Sequence, residues 1–285
     1  MSRYHTPQAL RRALEDRLLA QVRREGGDIN RLRRQIAFDR LLCRLFREAN
    51  APWVLKGGYA MELRVQAART TRDIDLAIRQ LPAGGRQWDE VVIWSLLENA
   101  AGFDLGDSFE FIIGKPSMDL DAAPYGGSRY PVEAQMAGRR FAQFHLDASA
   151  GDVLREPYET LEGLDWLGFA GLPAAKVSAV SREEQFAEKL HAYTLPRSGR
   201  PNTRVKDLVD LVLLSVSGSL DTARVREILA ATFHRRATHP VSATLPRPPE
   251  TWREPFAELA GECGMDPEIE AHFAQVAAFL ARVLG

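Results

Sequence analysis

The sequence predicts an α/β (α+β) protein, a mixed-sheet core with helices before it and a helical domain after it. Three observations lead there. Apolar residues recur at helical spacing over residues 6–49, alternate with period two in short runs between residues 53 and 147, and return to helical spacing after residue 172. The organisation implied is a helical segment at residues 1–50, a core at 51–172 and a helical domain at 173–285.

Thr6 supplies an N-cap and Pro7 a first helical turn, and Leu10, Leu14 and Leu18 form an apolar stripe that stops at Gly26-Gly27. Ile36, Leu41, Leu42, Leu45 and Phe46 form a second stripe. Trp53-Val54-Leu55 is a short strand running into Gly57-Gly58, and a helix starts at residues 60–65. Residues 72–79 read as a strand, 89–101 as a helix, and 109–113, 130–136 and 140–147 as further strands. Pro116, Pro124 and Gly126-Gly127 mark a loop, and residues 148–172 are rich in turn formers. Ser181 with Glu184 opens a helix in capping-box fashion, running through Phe186, Lys189, Leu190 and Tyr193. VKDLVDLVLL is another helix, and after a Pro-rich connection a last helical stretch spans residues 254–284.

An apolar fraction of 45% with 26% charged residues over 285 positions is ordinary for a soluble globular chain, and a net charge of −1 exerts no global pull on nucleic acid or membrane. The first fifty residues nevertheless hold twelve Arg against six acids, a block suited either to phosphates or to a solvated helix face. The chain has 32 Arg and only five Lys, so each Lys stands out: Lys56, Lys115, Lys176, Lys189 and Lys206. Cys43 and Cys263 form no disulfide framework and no metal-ligand spacing. With no signal segment and no apolar run of membrane length, a cytoplasmic location is expected.

Chemistry concentrates at Asp73-Ile74-Asp75, fifteen residues beyond Gly57-Gly58. On a strand both carboxylates share a face, and two carboxylates that close repel unless a cation lies between them. The pair therefore predicts a hard, oxygen-seeking ion, Mg²⁺ or Mn²⁺ in its place. A Gly-Gly turn opening a helix offers bare amides to phosphate. Asp147 ends the strand RFAQFHLDAS, where it would complete a metal cluster, accept a proton from an attacking hydroxyl, or merely cap a turn. Lys189 suits a nucleotide phosphate or a snorkelling role, and Asp207 and Asp210, one helical turn apart, can orient Lys189 and Arg204 or simply solubilise their helix. Thr71 lies two residues before Asp73, beside the metal acids, where phosphorylation would add negative charge. A second D-x-D, Asp119-Leu120-Asp121, has no such context and reads as surface loop. Phosphate-loop, dinucleotide, zinc-protease and serine-hydrolase motifs are missing.

The run LKGGYAMELR…RTTRDIDLAI, then FHLDASAGD, EEQFAEKLHAY and RVKDLVDL, resembles the AbiEii/AbiGii nucleotidyltransferase toxins, MenT-type members included, of the DNA polymerase β-like nucleotidyltransferase superfamily. The resemblance covers most of the chain. It implies a Mg²⁺-dependent enzyme of a toxin–antitoxin system that uses an NTP donor and an RNA acceptor, the tRNA 3′ end, with a cognate antitoxin as partner. It further implies that Gly57 and Gly58 cradle the nucleotide together with Thr71 and Lys189, Gly58 standing where many members have Ser. Asp73, Asp75 and Asp147 would be the metal acids, Lys189 the nucleotide-contacting lysine, and Asp207 or Asp210 the acid of a RDLxDL-like motif. Transfer to a small molecule of the aminoglycoside type, or nucleotide binding without catalysis, are the rival readings.

Overall fold

Short alternating runs assemble into one eight-stranded sheet in a computed structural model that describes residues 4–65, 68–79, 88–120, 123–197, 199, 201–216 and 220–285. The strands are β1 (Trp53–Lys56), β2 (Asp73–Ile78), β3 (Phe109–Ile113), β4 (Met118–Asp119), β5 (Gly127–Met136), β6 (Arg139–Ala150), β7 (Glu159–Glu162) and β8 (Lys176–Ala179). Their order is β3-β5-β6-β2-β1-β8-β7, with β4 also paired to β5. β2 runs parallel to β6 and β1 parallel to β8, while the remaining pairs are antiparallel, so the sheet is mixed.

The chain divides into two units. The first comprises Met1–Leu63, Thr71–Gly151 and Glu159–Ala179, and so takes in α1 (Pro7–Glu25), α2 (Ile29–Leu45) and α4 (Glu90–Ala101) together with the sheet. Thr6 caps α1 by accepting from the Ala9 amide, and Asp28 caps α2 after the Gly26-Gly27 break. Leu10, Leu14 and Leu18 of α1 and Phe38, Leu41 and Leu42 of α2 join Trp53, Leu55, Ile74, Leu76, Tyr130, Val132 and Leu146 of the sheet in one core. Every second strand residue is thus spent on the helix side, leaving Asp73, Asp75, Arg129, His145 and Asp147 on the opposite face.

Tyr59 anchors α3 (Gly57–Arg64) to this core, its ring set edge-on to Phe38 at 4.9 Å. Phe38 in turn meets Phe144 of β6 at 4.8 Å. The helix starts at Gly57 itself, three residues earlier than its apolar spacing suggests, because Gly57 continues directly from β1. β7 and β8 occupy stretches whose composition reads as turn and helix. Each has only four residues and, unlike the Trp-Val-Leu of β1, no continuous apolar run to mark it as a strand.

The second unit comprises Arg64–Thr70, Asp152–Tyr158 and Val180–Gly285. It is a helical bundle of α5 (Arg182–Thr194), α6 (Val205–Val216), α7 (Thr222–Arg236), α8 (Arg253–Glu262) and α9 (Ile269–Leu284). Ser181 and Glu184 form the expected capping box, and Phe186 packs edge-on against Phe279 at 5.1 Å. The last helical stretch is two helices, since Gly264 takes a positive φ of 65° between them. Among the described residues no helix is long and apolar enough to cross a membrane.

His191 on α5 is buried, with Nε2 2.8 Å from Thr238 Oγ1 and its ring tilted against that of His239 at 4.8 Å. Burial, then the charge of Arg236 and the neighbouring His239, push its pKa down to about 4 from 6.5. Between these values the unfolded chain binds a proton that the folded one refuses, so stability falls as pH drops through that window, by up to roughly 3 kcal/mol. Thermal melts from about pH 7 to about pH 5 should therefore fall more steeply for the wild type than for His191→Gln. Equal slopes would remove His191 from the acid response.

Candidate active site

The site in the first unit is written in the strand register. Lys56 of β1 lies opposite Asp75 of β2, Asp75 opposite Asp147 of β6, and Asp147 opposite Arg129 of β5. One row across four strands therefore carries plus, minus, minus, plus. In the adjacent row Asp73 lies opposite His145, and His145 opposite Pro131. Arg129 grips Asp147 with a two-pronged pair, Nε to Oδ1 and an Nη to Oδ2 both at 2.7 Å, and stands 3.6 Å from Asp73 Oδ2. Hydrogen bonding to Asp147 raises the guanidinium pKa despite partial burial, and the charges of Asp147, Asp73 and Asp75 add to it. The Lys56 ammonium donates to Ser149 Oγ at 2.7 Å, and His145 Nδ1 is 3.6 Å from Asp73 Oδ1.

Gly57 has a φ of 66°, and a Cβ there would lie 1.9 Å from Asp75 Oδ2. Only glycine satisfies both the backbone and the carboxylate packed beneath it. At Gly58 a Cβ would meet Thr71 Oγ1 at 2.6 Å. The Thr71 amide donates to Glu62, whose other oxygen accepts from Gln35 at 2.8 Å, so Thr71 is held against α3. A side chain at position 58 and the Thr71 hydroxyl compete for one space, which couples the glycine to the threonine. Gly58→Ser should lower stability by about 1–3 kcal/mol. It should do so far less in a Thr71→Gly background, a non-additivity that denaturant unfolding of all four chains would read.

In the second unit the structure brings together Lys189, Asp207 and Asp210. Lys189 Nζ lies 3.1 Å from Asp207 Oδ1 and 2.8 Å from Asp210 Oδ2. Arg69 closes on Asp210 with two hydrogen bonds of 2.9 and 2.7 Å. Burial alone would raise the Asp210 pKa, but Lys189 and Arg69 overcome it and hold the carboxyl below its ordinary value. For Lys189, burial is likewise outweighed by Asp210 and Asp207, and its pKa rises. Asp207 differs from Asp210: its Oδ2 is buried without a hydrogen-bond partner, and the half-exposed Arg204 approaches only to 3.6 Å. Asp210→Ala should accordingly destabilise the chain by about 3–5 kcal/mol by orphaning buried cations. Asp207→Ala should cost clearly less in the same unfolding measurement, and the reverse order would mean that Asp207 holds the cluster.

Four arginines of the N-terminal basic block are structural. Arg33 pairs with Glu15 at 2.7 Å, Arg44 with Asp107 at 2.7 Å, Arg40 with Asp39, and Arg11 binds the carbonyls of Met136, Arg139 and Arg140. Arg34 is different. It lines a cleft of about 660 Å³ in the first unit with Arg72, Asp73, Arg129 and His145. Of the second D-x-D, Asp119 is exposed on β4 and Asp121 lies outside the described residues.

The sequence reading overlooked Arg129, Lys56 and Arg69 as site residues. Alternation through GSRYPVEAQM puts Arg129 on the face of Asp147 once β5 and β6 are paired, so that signal existed. Arg69 lies in an irregular segment and had none. The chemistry of the donor set bears on a metal as follows. Asp73 and Asp75 present hard oxygens on one face and fit a divalent ion. Asp147 does not join them as a free third ligand, since Arg129 takes both its oxygens. Among the described residues no group of three or more His, Cys, Asp or Glu side chains is arranged to hold a metal.

A family model described as nucleotidyl transferase AbiEii toxin, type IV toxin–antitoxin system, matches residues 40–281. Among solved structures, the chain is similar to the nucleotidyltransferase toxin MenT4 of Mycobacterium tuberculosis H37Rv, with 18% identity over 99% of this chain and 90% of that one and a TM-score of 0.60. JHP933 of Helicobacter pylori matches at 14% identity over 89% and 91% of the two chains, with a TM-score of 0.46. No curated protein sequence matches significantly. At 18% identity the likeness to MenT4 speaks for the fold alone.

Proposed function

The chain belongs to the AbiEii nucleotidyltransferase toxin family, within the polymerase β-like superfamily, and from that premise we propose that it transfers a nucleotide from an NTP to an RNA, with the tRNA 3′ end as the acceptor. Blocking that end would halt translation and growth, and a cognate antitoxin would restrain the enzyme. One observation carries the choice of a polyanionic acceptor: the cleft that Arg34, Arg72, Arg129 and His145 line together with Asp73 and Glu133. Three guanidinium groups beside the acids suit a phosphate backbone far better than a small neutral substrate.

Asp73 and Asp75 would hold Mg²⁺, or Mn²⁺ in its place, which supplies charge neutralisation for the triphosphate. The first-turn amides after Gly57 and Gly58 point out of the N-terminus of α3, where a phosphate is favoured, and Gly57 leaves the Asp75 carboxylate in direct contact with that turn. Thr71, pressed against Gly58, adds a hydroxyl at the same place. In the second unit we propose that Asp207 and Asp210 position Lys189.

Incubating the protein with total RNA and each labelled NTP in turn identifies donor and acceptor together. Asp75→Ala should abolish labelling of tRNA and relieve growth arrest, and undiminished labelling would overturn the assignment. Arg34→Gln and Arg72→Gln should each raise KM for the RNA and reduce the salt dependence of RNA binding by a slope of about one. An unchanged slope in both would remove the cleft from the acceptor path.

A further inference from the structure

Asp147 is where a third metal ligand or a proton acceptor is expected, yet the strand register places a cation on it. Arg129 and Asp147 are directly opposed residues of the antiparallel β5–β6 pair, so their meeting is set by backbone hydrogen bonding and not by chance rotamers. The pair is two-pronged at 2.7 Å on both arms, with only 12% of the Asp147 side chain exposed. Such a fork is the strongest geometry for arginine on a carboxylate, and half-removed from water it does not part readily. On the other flank the register sets Lys56 against Asp75. The row Lys56, Asp75, Asp147, Arg129 sums to zero formal charge, and Asp73 beside it adds one negative charge.

We propose that Arg129 is a built-in cation of the acid row, doing for charge balance what a second metal ion would do, so that Asp147 positions Arg129 and a single divalent ion binds at Asp73 and Asp75. Arg129 also lines the cleft 3.6 Å from Asp73, so the same guanidinium is ready to meet a phosphoryl group next to the ion site. A cation fixed there in advance needs no reorganisation when charge develops, which is how preorganised donors lower a barrier. This inference rests on the Asp73–Asp75 metal reading given above.

The test is Mn²⁺ alone titrated into the full chain, with the free-ion EPR signal giving the number of ions per chain and their affinity. The wild type should bind one ion. Arg129→Gln frees Asp147 and should either admit a second ion or tighten the first by about tenfold or more. The charge-neutral pair Arg129→Gln/Asp147→Asn should return to one ion within about threefold of the wild-type affinity, because a neutral unit outside the metal shell has been removed. Thermal melts confirm that each chain is folded. Loss of binding in the double variant as severe as in Asp73→Asn would make Asp147 a ligand and overturn the proposal, as would two ions in the wild type or an Arg129→Gln chain that binds like the wild type. Wild-type binding in both Asp73→Asn and Asp75→Asn would instead overturn the metal pair itself, a separate outcome. In the transfer reaction Arg129→Gln and Asp147→Asn should lower kcat to a similar extent and the double variant little further, with KM for the NTP unchanged. Additive losses would argue for independent roles.

Discussion

The parallel pairing of β2 with β6 is the constraint on which the site in the first unit depends. It sets Asp75 against Asp147 and Asp73 against His145, bringing carboxylates from distant points of the chain onto adjacent strands. Strands in a sheet are roughly 5 Å apart, close enough for like charges to repel strongly. The neighbours on either side meet that repulsion: β1 contributes Lys56 and β5 contributes Arg129 at the same level of the sheet. The row of acids is thus tolerated through charges supplied by the fold.

The opposite face of the same strands explains why this arrangement holds its shape. Ile74, Leu76, Tyr130 and Leu146 are fully buried among the residues of α1, α2 and α4. A slip of one residue in β2 would exchange these apolar side chains for carboxylates, burying charge and exposing the core. Register is therefore enforced by the core, and the charged row inherits its alignment. Gly57 depends on it too, because the Asp75 carboxylate fills the space where any side chain would project.

The second unit shows the same balance with different parts. Two acids of α6, spaced one turn apart, meet Lys189 of α5 and Arg69 of the 64–70 segment, two negative charges with two positive ones. Asp210 is saturated and Asp207 is not, which separates two residues that are equivalent by spacing alone. Basic residues near the N-terminus resolve in a similar way. Arg11, Arg33, Arg40 and Arg44 are engaged by acids and carbonyls of the first unit, while Arg34 lines the cleft.

Local pattern by itself determined α1, α2, α4, α5 and α6, the Ser181 capping box, the D-x-D strand with Ile74 facing inward, and the Gly-Gly turn before it. Each depends on interactions within a few residues, where periodicity and backbone preference dominate. The four-residue strands β7 and β8 escaped because, without the apolar run that marks β1, so short a stretch owes its conformation to its neighbours. Family membership was legible from the order and spacing of the motifs. Charge pairing was not: which cation meets which acid depends on strand order and register, and those follow from packing the whole sheet against its helices. Only the tertiary structure could decide that Asp147 belongs to Arg129, since eighteen residues and a hairpin separate them in the chain while one backbone pairing joins them in the fold.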